Sequence, residues 1–215
     1  MVKQGLYFSQ VSIDKEFTNA YDLHQFLWRL FPDRPDAKSH FLYSIENVES
    51  NRTDLIVRSQ SQPILGSKNC SLKVRGPIFV STDLQTAKAN TIVFSRDSLF
   101  SFKLTGNPTK KISDRNNKTN DNGEVRKLRV PLYEKDEQLS WLKRKLFESA
   151  NIMDIYIKNK PAIYFNKKQH SGKIFAVQYE GLLEINDAEK FANAFLNGIG
   201  PAKAFGCGLL LLKRL

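Results

Sequence analysis

Residues 197–208 read NGIGPAKAFGCG, and the apolar run LLLL follows at positions 209–212. Four of the chain's 11 glycines lie in this segment. Pro201 suits the first position of a short helix, which Gly206 and Gly208 would end before a buried strand. Such a turn leaves backbone N–H groups pointing outward without a Cβ to shield them, as phosphate binding requires. The alternative is a plain glycine connection to a last core strand.

The charge of the chain favours a polyanionic partner. Lys and Arg number 33 against 22 Asp and Glu, a net charge of +11. A surplus of this size is typical of proteins that bind nucleic acid or an anionic membrane surface. No apolar run approaches the ~20 residues of a spanning helix, and the first residues lack the core of a signal peptide. We therefore expect no membrane partner and a cytoplasmic protein.

Length and cysteine content indicate the number of domains and limit the chemistry that the protein can carry. A chain of 215 residues with 41% apolar residues favours two domains of about 100 residues each, which we place at 1–92 and 93–215. Cys70 and Cys207 stand alone, with no C-x-x-C motif and no histidine cluster, so neither a zinc site nor a disulfide framework is indicated. We expect no metal, no cofactor and no small-molecule substrate.

The first half predicts the start of a ferredoxin-like βαββαβ unit. Its expected elements are a strand at 6–13, a helix after Asn19, strands at 41–47, 53–60 and near 72–74, a loop at Gly76-Pro77, and a second helix at 82–90. The first helix is the clearest of these. Its apolar residues recur at helical spacing, at Leu23, Phe26, Leu27, Leu30 and Phe31.

A second cluster lies beside that apolar stripe. Asn19 can cap the helix, and at 100° per residue Tyr21, His24 and Trp28 fall together, about a quarter turn or more from the stripe's centre. This puts a tyrosine and a histidine one turn apart at the edge of the buried face.

The second half repeats the same order of elements. We expect a strand at 100–104, a helix with Leu139, Leu142, Leu146 and Phe147, strands at 162–165, 173–179 and 182–185, a helix closed by Gly198, and the last strand. The predicted fold class is therefore α+β, with two tandem ferredoxin-like, RRM-like domains.

Two segments of the second half are strongly basic. Residues 103–129 hold eight bases and three acids, and residues 155–179 hold five lysines and no acid. Charged runs are usually solvated loops, but an excess of one sign beside aromatic strands favours an RNA hairpin or loop as ligand.

Several motifs resemble a known family, the CRISPR-associated endoribonucleases of type I-E systems (the CasE type), which cut the repeat hairpins of precursor CRISPR RNA. They are DLHQ (22–25), LW (27–28), LFPDRPDA (30–37), GNPTK (106–110), RVPL (129–132), WLKRKL (141–146), SGK (171–173), YEG (179–181) and residues 198–211. The resemblance covers nearly the full length, and the motifs occur in the family's order.

The resemblance implies a metal-independent cut 3′ of the CRISPR repeat RNA hairpin that leaves a 2′,3′-cyclic phosphate. It also implies that the enzyme keeps its product and joins other Cascade subunits. The family's active-site histidine matches His24, and a tyrosine found in some members matches Tyr21. The family's basic hairpin matches Lys167 and Lys168 only loosely.

The expected chemistry needs a group that titrates near neutral pH. Histidine can take the proton of a ribose 2′-OH or protonate the leaving 5′-oxygen, so His24 is the candidate acid or base. Tyr21 either positions the 2′-OH and the phosphate or packs at the rim against Trp28. The dianionic phosphorane needs a nearby cation. The candidate RNA-binding residues are Lys103, Lys110, Lys111, Arg115, Arg126, Arg129, Lys167, Lys168, Lys173, Gly200, Lys203 and Gly206.

Two other functions fit the same sequence. One is a non-catalytic subunit that holds an RNA hairpin, and the other is a general nucleic-acid-binding protein.

Overall fold

The computed structural model describes residues 5–31, 40–49, 51–65, 69–85, 87, 89–113, 119, 122–125, 127–167 and 170–215. Its elements in chain order are β1 (Leu6–Ile13), α1 (Ala20–Trp28), β2 (Phe41–Glu49), β3 (Arg52–Ser59), β4 (Cys70–Ser81), β5 (Thr91–Val93), β6 (Leu99–Gly106), β7 (Thr109–Ser113), β8 (Lys127–Pro131), α2 (Lys135–Leu146), β9 (Ala150–Asn159), β10 (Ile163–Lys167), β11 (His170–Ile174), β12 (Val177–Ile185), α3 (Ala188–Asn197), a 3₁₀ turn (Lys203–Phe205) and β13 (Leu210–Arg214).

The first sheet has the strand order β2-β3-β1-β4-β5. β1 is antiparallel to both of its neighbours, so that Val11 lies opposite Leu55 of β3 and Leu72 of β4. β2 is antiparallel to β3, and β5 joins β4 in parallel. The order β2-β3-β1-β4 is that of a ferredoxin-like unit, and α1 connects β1 to β2.

The second sheet repeats this arrangement with the order β13-β6-β12-β9. β6 is antiparallel to β12 and β13, and β12 is antiparallel to β9. α2 precedes β9 and α3 precedes β13. Two antiparallel ribbons are inserted, β7–β8 before α2 and β10–β11 before β12. The predicted class, α+β with two tandem ferredoxin-like units, is confirmed.

Two expectations for the first unit are wrong. In the described part of segment 82–90 the chain forms turns and bends rather than a helix. Leu84 is 74% exposed, so this segment lacks the buried apolar face that stabilises a helix. Gly76 and Pro77 do not form a loop, because β4 runs through them.

The strand predicted at 162–165 is present within β10, whereas the one predicted at 173–179 is divided between β11 and β12. Residues 163–167 and 170–174 pair only with each other, as the ribbon β10–β11. β12 lies between β6 and β9. The sequence pattern did not reveal β9. The register between β9 and β12 shifts at Leu182/Leu183. Ile152 and Ile155 therefore pack on the same core with a spacing of three, which breaks the alternation typical of a strand.

The described buried residues form two main cores, and the second also takes in Leu6 and Val80 of the first sheet. In the first, α1 packs on the sheet with buried residues that include Leu23, Leu27, Tyr43 and Val57. The second core is larger and includes Trp141 and Tyr179. None of the described helices combines the length and apolarity needed to cross a bilayer.

A buried arginine joins the two units. Arg58 of β3 is only 3% exposed. Its guanidinium donates hydrogen bonds to the backbone oxygens of Phe195 and Leu196, at the end of α3, and lies over the Phe195 ring. Burial lowers the pKa of Arg58 to about 10, so the group stays charged at neutral pH. A cation at a helix C-terminus also interacts favourably with the helix dipole. The first unit therefore fixes the position of the end of α3.

A second contact between the units is ionic. Lys103 Nζ of β6 lies 2.6 Å from Glu46 Oε2 of β2, and Ser44 Oγ donates to Glu46 Oε1 at 2.7 Å. Beside them, Lys160 Nζ donates to the backbone oxygen of Ile45 at 3.2 Å. The ammonium of Lys103, predicted to bind RNA, is thus engaged between the sheets.

Candidate functional site

The site is built on α1, whose start is fixed by Asn19. The Asn19 Oδ1 accepts a hydrogen bond from the N–H of Tyr21 at 3.1 Å, which confirms the predicted cap. Leu23 and Leu27 are buried against the sheet. Tyr21 and His24 stand beside this face and are half-buried, as helical spacing predicted.

The His24 ring lies in an aromatic environment. Its centroid is 5.5 Å from that of Phe41 and 6.5 Å from that of Tyr43. Trp28 Nε1 donates a hydrogen bond to His24 Nε2 at 3.1 Å. Because an indole N–H can only donate, Nε2 is unprotonated and the neutral ring carries its proton on Nδ1.

This environment determines what the imidazole can do. Burial lowers the pKa of His24 below its ordinary value of 6.5. Its Nδ1 is enclosed and has no hydrogen-bond partner among the described residues. Since Nε2 is bonded to Trp28, proton transfer to a bound substrate requires the ring to turn away from Trp28.

The ribbon β10–β11 lies against the start of α1. Lys167 Nζ is 5.2 Å from the centroid of the Tyr21 ring, a distance at which a cation is attracted to the ring face. Asn19 Nδ2 donates to the backbone oxygen of Asn166 at 3.1 Å, and the N–H of Asn166 donates to Asn19 Oδ1 at 3.0 Å. The ribbon therefore brings a lysine to the tyrosine beside His24.

Further polar residues line this ribbon. Lys173 is exposed on β11 and lies opposite Tyr164, itself 59% exposed. Both line a shallow depression of about 380 Å³ that also includes Asn19. His170, which the sequence pattern did not single out, lies directly opposite Lys167, so the two side chains share one face of the ribbon. Lys168 lies outside the described residues.

The glycine-rich segment, residues 197–208, closes the other side of α1. The predicted short helix is present as a single 3₁₀ turn that starts at Lys203, two residues after Pro201. Several N–H groups that we expected to point outward are bonded internally: Ile199 donates to Gly208, Gly208 to Thr105, and Phe205 to Ala202. Tyr43 Oη donates to the backbone oxygen of Ala204 at 3.0 Å, so the segment packs directly behind the His24 environment.

The ribbon and the glycine-rich segment also contact each other. The rings of Phe165 and Phe205 stack with centroids 4.7 Å apart. Ile174, Ala176 and Cys207 are buried beneath them. The ribbon and the glycine-rich segment therefore contact each other as well as α1.

A cationic groove of about 640 Å³ runs along the glycine-rich segment. Its lining includes Arg129 of β8, Lys145 of α2, Lys203 and the backbone of Gly200. In the described part of the chain, the N–H groups of Gly200 and Lys203 donate to no protein acceptor. Three cations and free N–H groups around one groove suit a phosphate backbone. Lys145 was not among the predicted residues.

The cationic side chains predicted to bind RNA differ in whether their charged groups are already bonded to other protein groups. Lys203 Nζ donates to the backbone oxygen of Asn197 at 2.7 Å, and Lys110 Nζ lies 2.8 Å from Glu137 Oε1. Lys111 lies opposite Arg129 on the ribbon β7–β8, and both side chains are exposed. Gly206 ends the 3₁₀ turn and faces the Tyr43 ring. Arg115 and Arg126 lie outside the described residues.

No group of three or more His, Cys, Asp or Glu residues in the described ranges is arranged to hold a metal ion.

Comparison with known proteins identifies relatives over almost the whole chain. Residues 3–214 match the model of a protein family described as CRISPR associated protein. The chain is 35% identical over 212 residues to the CRISPR system Cascade subunit CasE of Escherichia coli strain K12, a match that covers 98% of this chain and 100% of that protein.

Two further comparisons agree with this match. The chain is 29% identical over 122 residues to the CRISPR-associated endoribonuclease Cse3 of Thermus thermophilus, covering 51% of this chain and 53% of that protein. The fold matches the crystal structure of the CRISPR-associated protein Cas6e from Escherichia coli K-12 with a TM-score of 0.76 and 32% identity, covering 97% of this chain and 100% of that one.

Proposed function

Because this chain belongs to the family of CRISPR-associated proteins and is of the CasE type, we propose that it is an endoribonuclease that processes CRISPR RNA. Its substrate is the repeat hairpin of the precursor RNA, which it cuts on the 3′ side of the stem without a metal ion. The observation that carries this proposal is the junction at α1, where the ammonium of Lys167 lies over the Tyr21 ring beside His24.

The proposed reaction uses the RNA's own nucleophile. A base takes the proton of the ribose 2′-OH, whose oxygen then attacks the adjacent phosphorus. The bond from phosphorus to the 5′-oxygen breaks, and an acid gives that oxygen a proton. The products are a 2′,3′-cyclic phosphate and a 5′-OH. His24 acts as base or acid once it has turned away from Trp28, Tyr21 positions the reacting ribose, and Lys167 stabilises the phosphorane charge.

The RNA stem follows the cationic surface of the second unit. The groove of Arg129, Lys145 and Lys203, together with Lys111, supplies phosphate contacts that give affinity and orientation. After cleavage the product stays in this groove, and the protein with its RNA becomes a subunit of Cascade, as the name of its Escherichia coli relative describes for that protein. We expect this reaction in the cytoplasm, where the precursor is transcribed.

Cleavage of the cognate repeat hairpin in the presence of EDTA tests the proposal. The parent protein should give one cut and a cyclic phosphate terminus. His24→Ala should lower the single-turnover rate constant by about 10²- to 10⁴-fold. Gln25→Ala, which changes an exposed neighbour on the same helix, is the matched control and should cleave like the parent. Equal rates for His24→Ala and the parent would show that the assignment of His24 is wrong.

A second candidate function is a non-catalytic subunit that binds the hairpin. The observation that favours it is the enclosed imidazole, whose Nε2 is bonded to Trp28. It predicts salt-dependent hairpin binding with no product even from the parent protein. Cleavage by the parent that is lost in His24→Ala excludes this candidate.

A further inference from the structure

The side chain of Asn19 makes three hydrogen bonds, and only one of them is needed to cap α1. Its Oδ1 accepts from the N–H of Tyr21, which is the cap. The same Oδ1 accepts from the N–H of Asn166, and Nδ2 donates to the Asn166 oxygen. The side-chain amide thus pairs with the backbone of β10 as a neighbouring strand would.

These bonds join parts of the chain that are far apart in sequence. Asn19 and Asn166 are separated by 147 residues. In the described part of the chain, no other hydrogen bond joins α1 or its cap to the ribbon β10–β11. Asn166 directly precedes Lys167, so the contact fixes the ribbon one residue from the cation that lies over Tyr21.

We propose that Asn19 is a positioning residue of the site, which holds the ribbon β10–β11 against the start of α1 and so keeps Lys167 at Tyr21. The inference rests on the proposed function, because the phosphate that Lys167 stabilises belongs to that reaction. It adds a residue that acts through the position of Lys167 and takes no part in the proton transfer.

Only an amide can make all three bonds from this position. Aspartate accepts from both N–H groups but has no donor for the Asn166 oxygen. Serine caps a helix about as well as asparagine but has no amide to pair with a strand. Asn19→Asp and Asn19→Ser therefore keep the cap and weaken the contact with the ribbon in two different ways.

Single-turnover cleavage of the repeat hairpin at saturating protein tests the proposal. Both variants should lower the rate constant roughly tenfold, because a displaced cation no longer meets the phosphorane. The dissociation constant of the hairpin should change by less than about threefold, since the groove along the glycine-rich segment is untouched. The melting temperature should stay within a few degrees of the parent's, since the cap is retained.

A double-mutant cycle separates positioning from general damage. Lys167→Ala should slow the parent strongly but should have little further effect in Asn19→Asp, since Lys167 is already displaced there. Additive effects of the two substitutions would overturn the proposal.

One readout does not depend on cleavage. In the parent, the ring current of Tyr21 should shift the ε-methylene protons of Lys167 upfield in NMR spectra, and both variants should lose this shift. A shift that persists in both variants overturns the proposal, and so does a lost shift with an unchanged cleavage rate. If the parent cleaves no repeat, the proposed function fails, while the NMR shift still decides whether Asn19 holds the ribbon.

Asn151→Asp is the matched control for the added negative charge. Asn151 lies on β9, and its Oδ1 accepts a hydrogen bond from Asn186 at 2.9 Å, which aspartate can also accept. This variant should cleave within about twofold of the parent rate, as expected of a surface substitution away from the site.

Discussion

At the scale of single residues, the neighbours of His24 set its protonation as well as its place. The pKa of His24 is lowered by burial, and the N–H of Trp28 adds to this effect because only the neutral ring can accept its hydrogen bond at Nε2. The free protein therefore holds a neutral imidazole at physiological pH, which is the protonation state that the proposed reaction requires of a base.

Trp28→Phe should raise the pKa of His24 towards 6.5, because it removes the N–H and keeps an aromatic ring. NMR titration of the His24 ring protons measures this pKa in the parent and in the variant. An unchanged or lower pKa in the variant would contradict the argument.

The same substitution should change the acid sensitivity of folding. In the parent the folded pKa of His24 lies below 6.5, so on acidification the unfolded chain takes up this proton first, and stability falls as the pH drops below about 6.5. Trp28→Phe should reduce that fall. Urea unfolding at pH 7 and pH 5.5 measures the difference.

Sequence reasoning found the residues of the site that share an element. Helical spacing put Tyr21, His24 and Trp28 together, because it fixes the angle between residues of one helix. It gave no indication that Asn166 bonds to Asn19, since that contact depends on how two distant segments dock. The contact of Asn19 with the ribbon could therefore not be predicted from the sequence, although its role as helix cap was predicted correctly.

At the scale of elements, the glycine-rich segment depends on close packing at Gly200. This residue has φ +81°, and a Cβ there would lie 2.7 Å from Trp141 Cζ2, an atom of a side chain that is only 1% exposed. Neither the backbone nor the indole can adjust without cost.

Gly200→Ala should lower the free energy of unfolding by about 2–4 kcal/mol, the sum of a left-handed alanine and an overpacked core. Urea denaturation measures it. Gly123→Ala is the matched control, because Gly123 has nearly the same φ, +76°, and the described residues beyond its chain neighbours place no atom within 4 Å of the added Cβ. It should cost only about 1–2 kcal/mol. Equal losses would mean that contact with Trp141 has no effect.

The elements that sequence reasoning missed lack a regular apolar period. β9 is interrupted by the register shift opposite Leu182 and Leu183. The ribbon β7–β8 has no fully buried side chain, so residues 110–129 resembled a solvated loop. Both elements are stabilised by pairing with another strand, and a single sequence shows this poorly.

At the scale of the whole molecule, Glu46 links the two sheets. Burial alone would raise its pKa, but hydrogen bonds from Lys103 and Ser44 and the charges of Lys103 and Lys160 lower it overall below the ordinary 4.5. A carboxylate with a lowered pKa stabilises the fold at pH values above its ordinary pKa, and this stabilisation is lost as the pH falls through the folded value.

Glu46→Gln should reduce the free energy of unfolding by about 1–2 kcal/mol at pH 7, because Lys103 and Lys160 lose their counter-charge. It should also remove part of the loss of stability that the parent shows below pH 4.5. Denaturant unfolding at several pH values measures both effects.

Glu148→Gln is the control for this prediction. Glu148 pairs with Lys190 at 2.5 Å, but both side chains are more than half exposed. Such exposed pairs contribute little to stability, because water and salt screen their charges. A loss in Glu148→Gln as large as that in Glu46→Gln would contradict a special role for the contact between the sheets.

The assembly of α1 with two distant elements has a consequence for protein synthesis. A ribosome delivers Asn19 147 residues before Asn166, and the segment around Ala204, which contacts Tyr43, comes later still. A nascent chain thus exposes its histidine long before the lysine ribbon exists. On the proposed function, incomplete translation products should therefore leave cellular transcripts intact, and cutting should begin only when the second unit has been made and has docked.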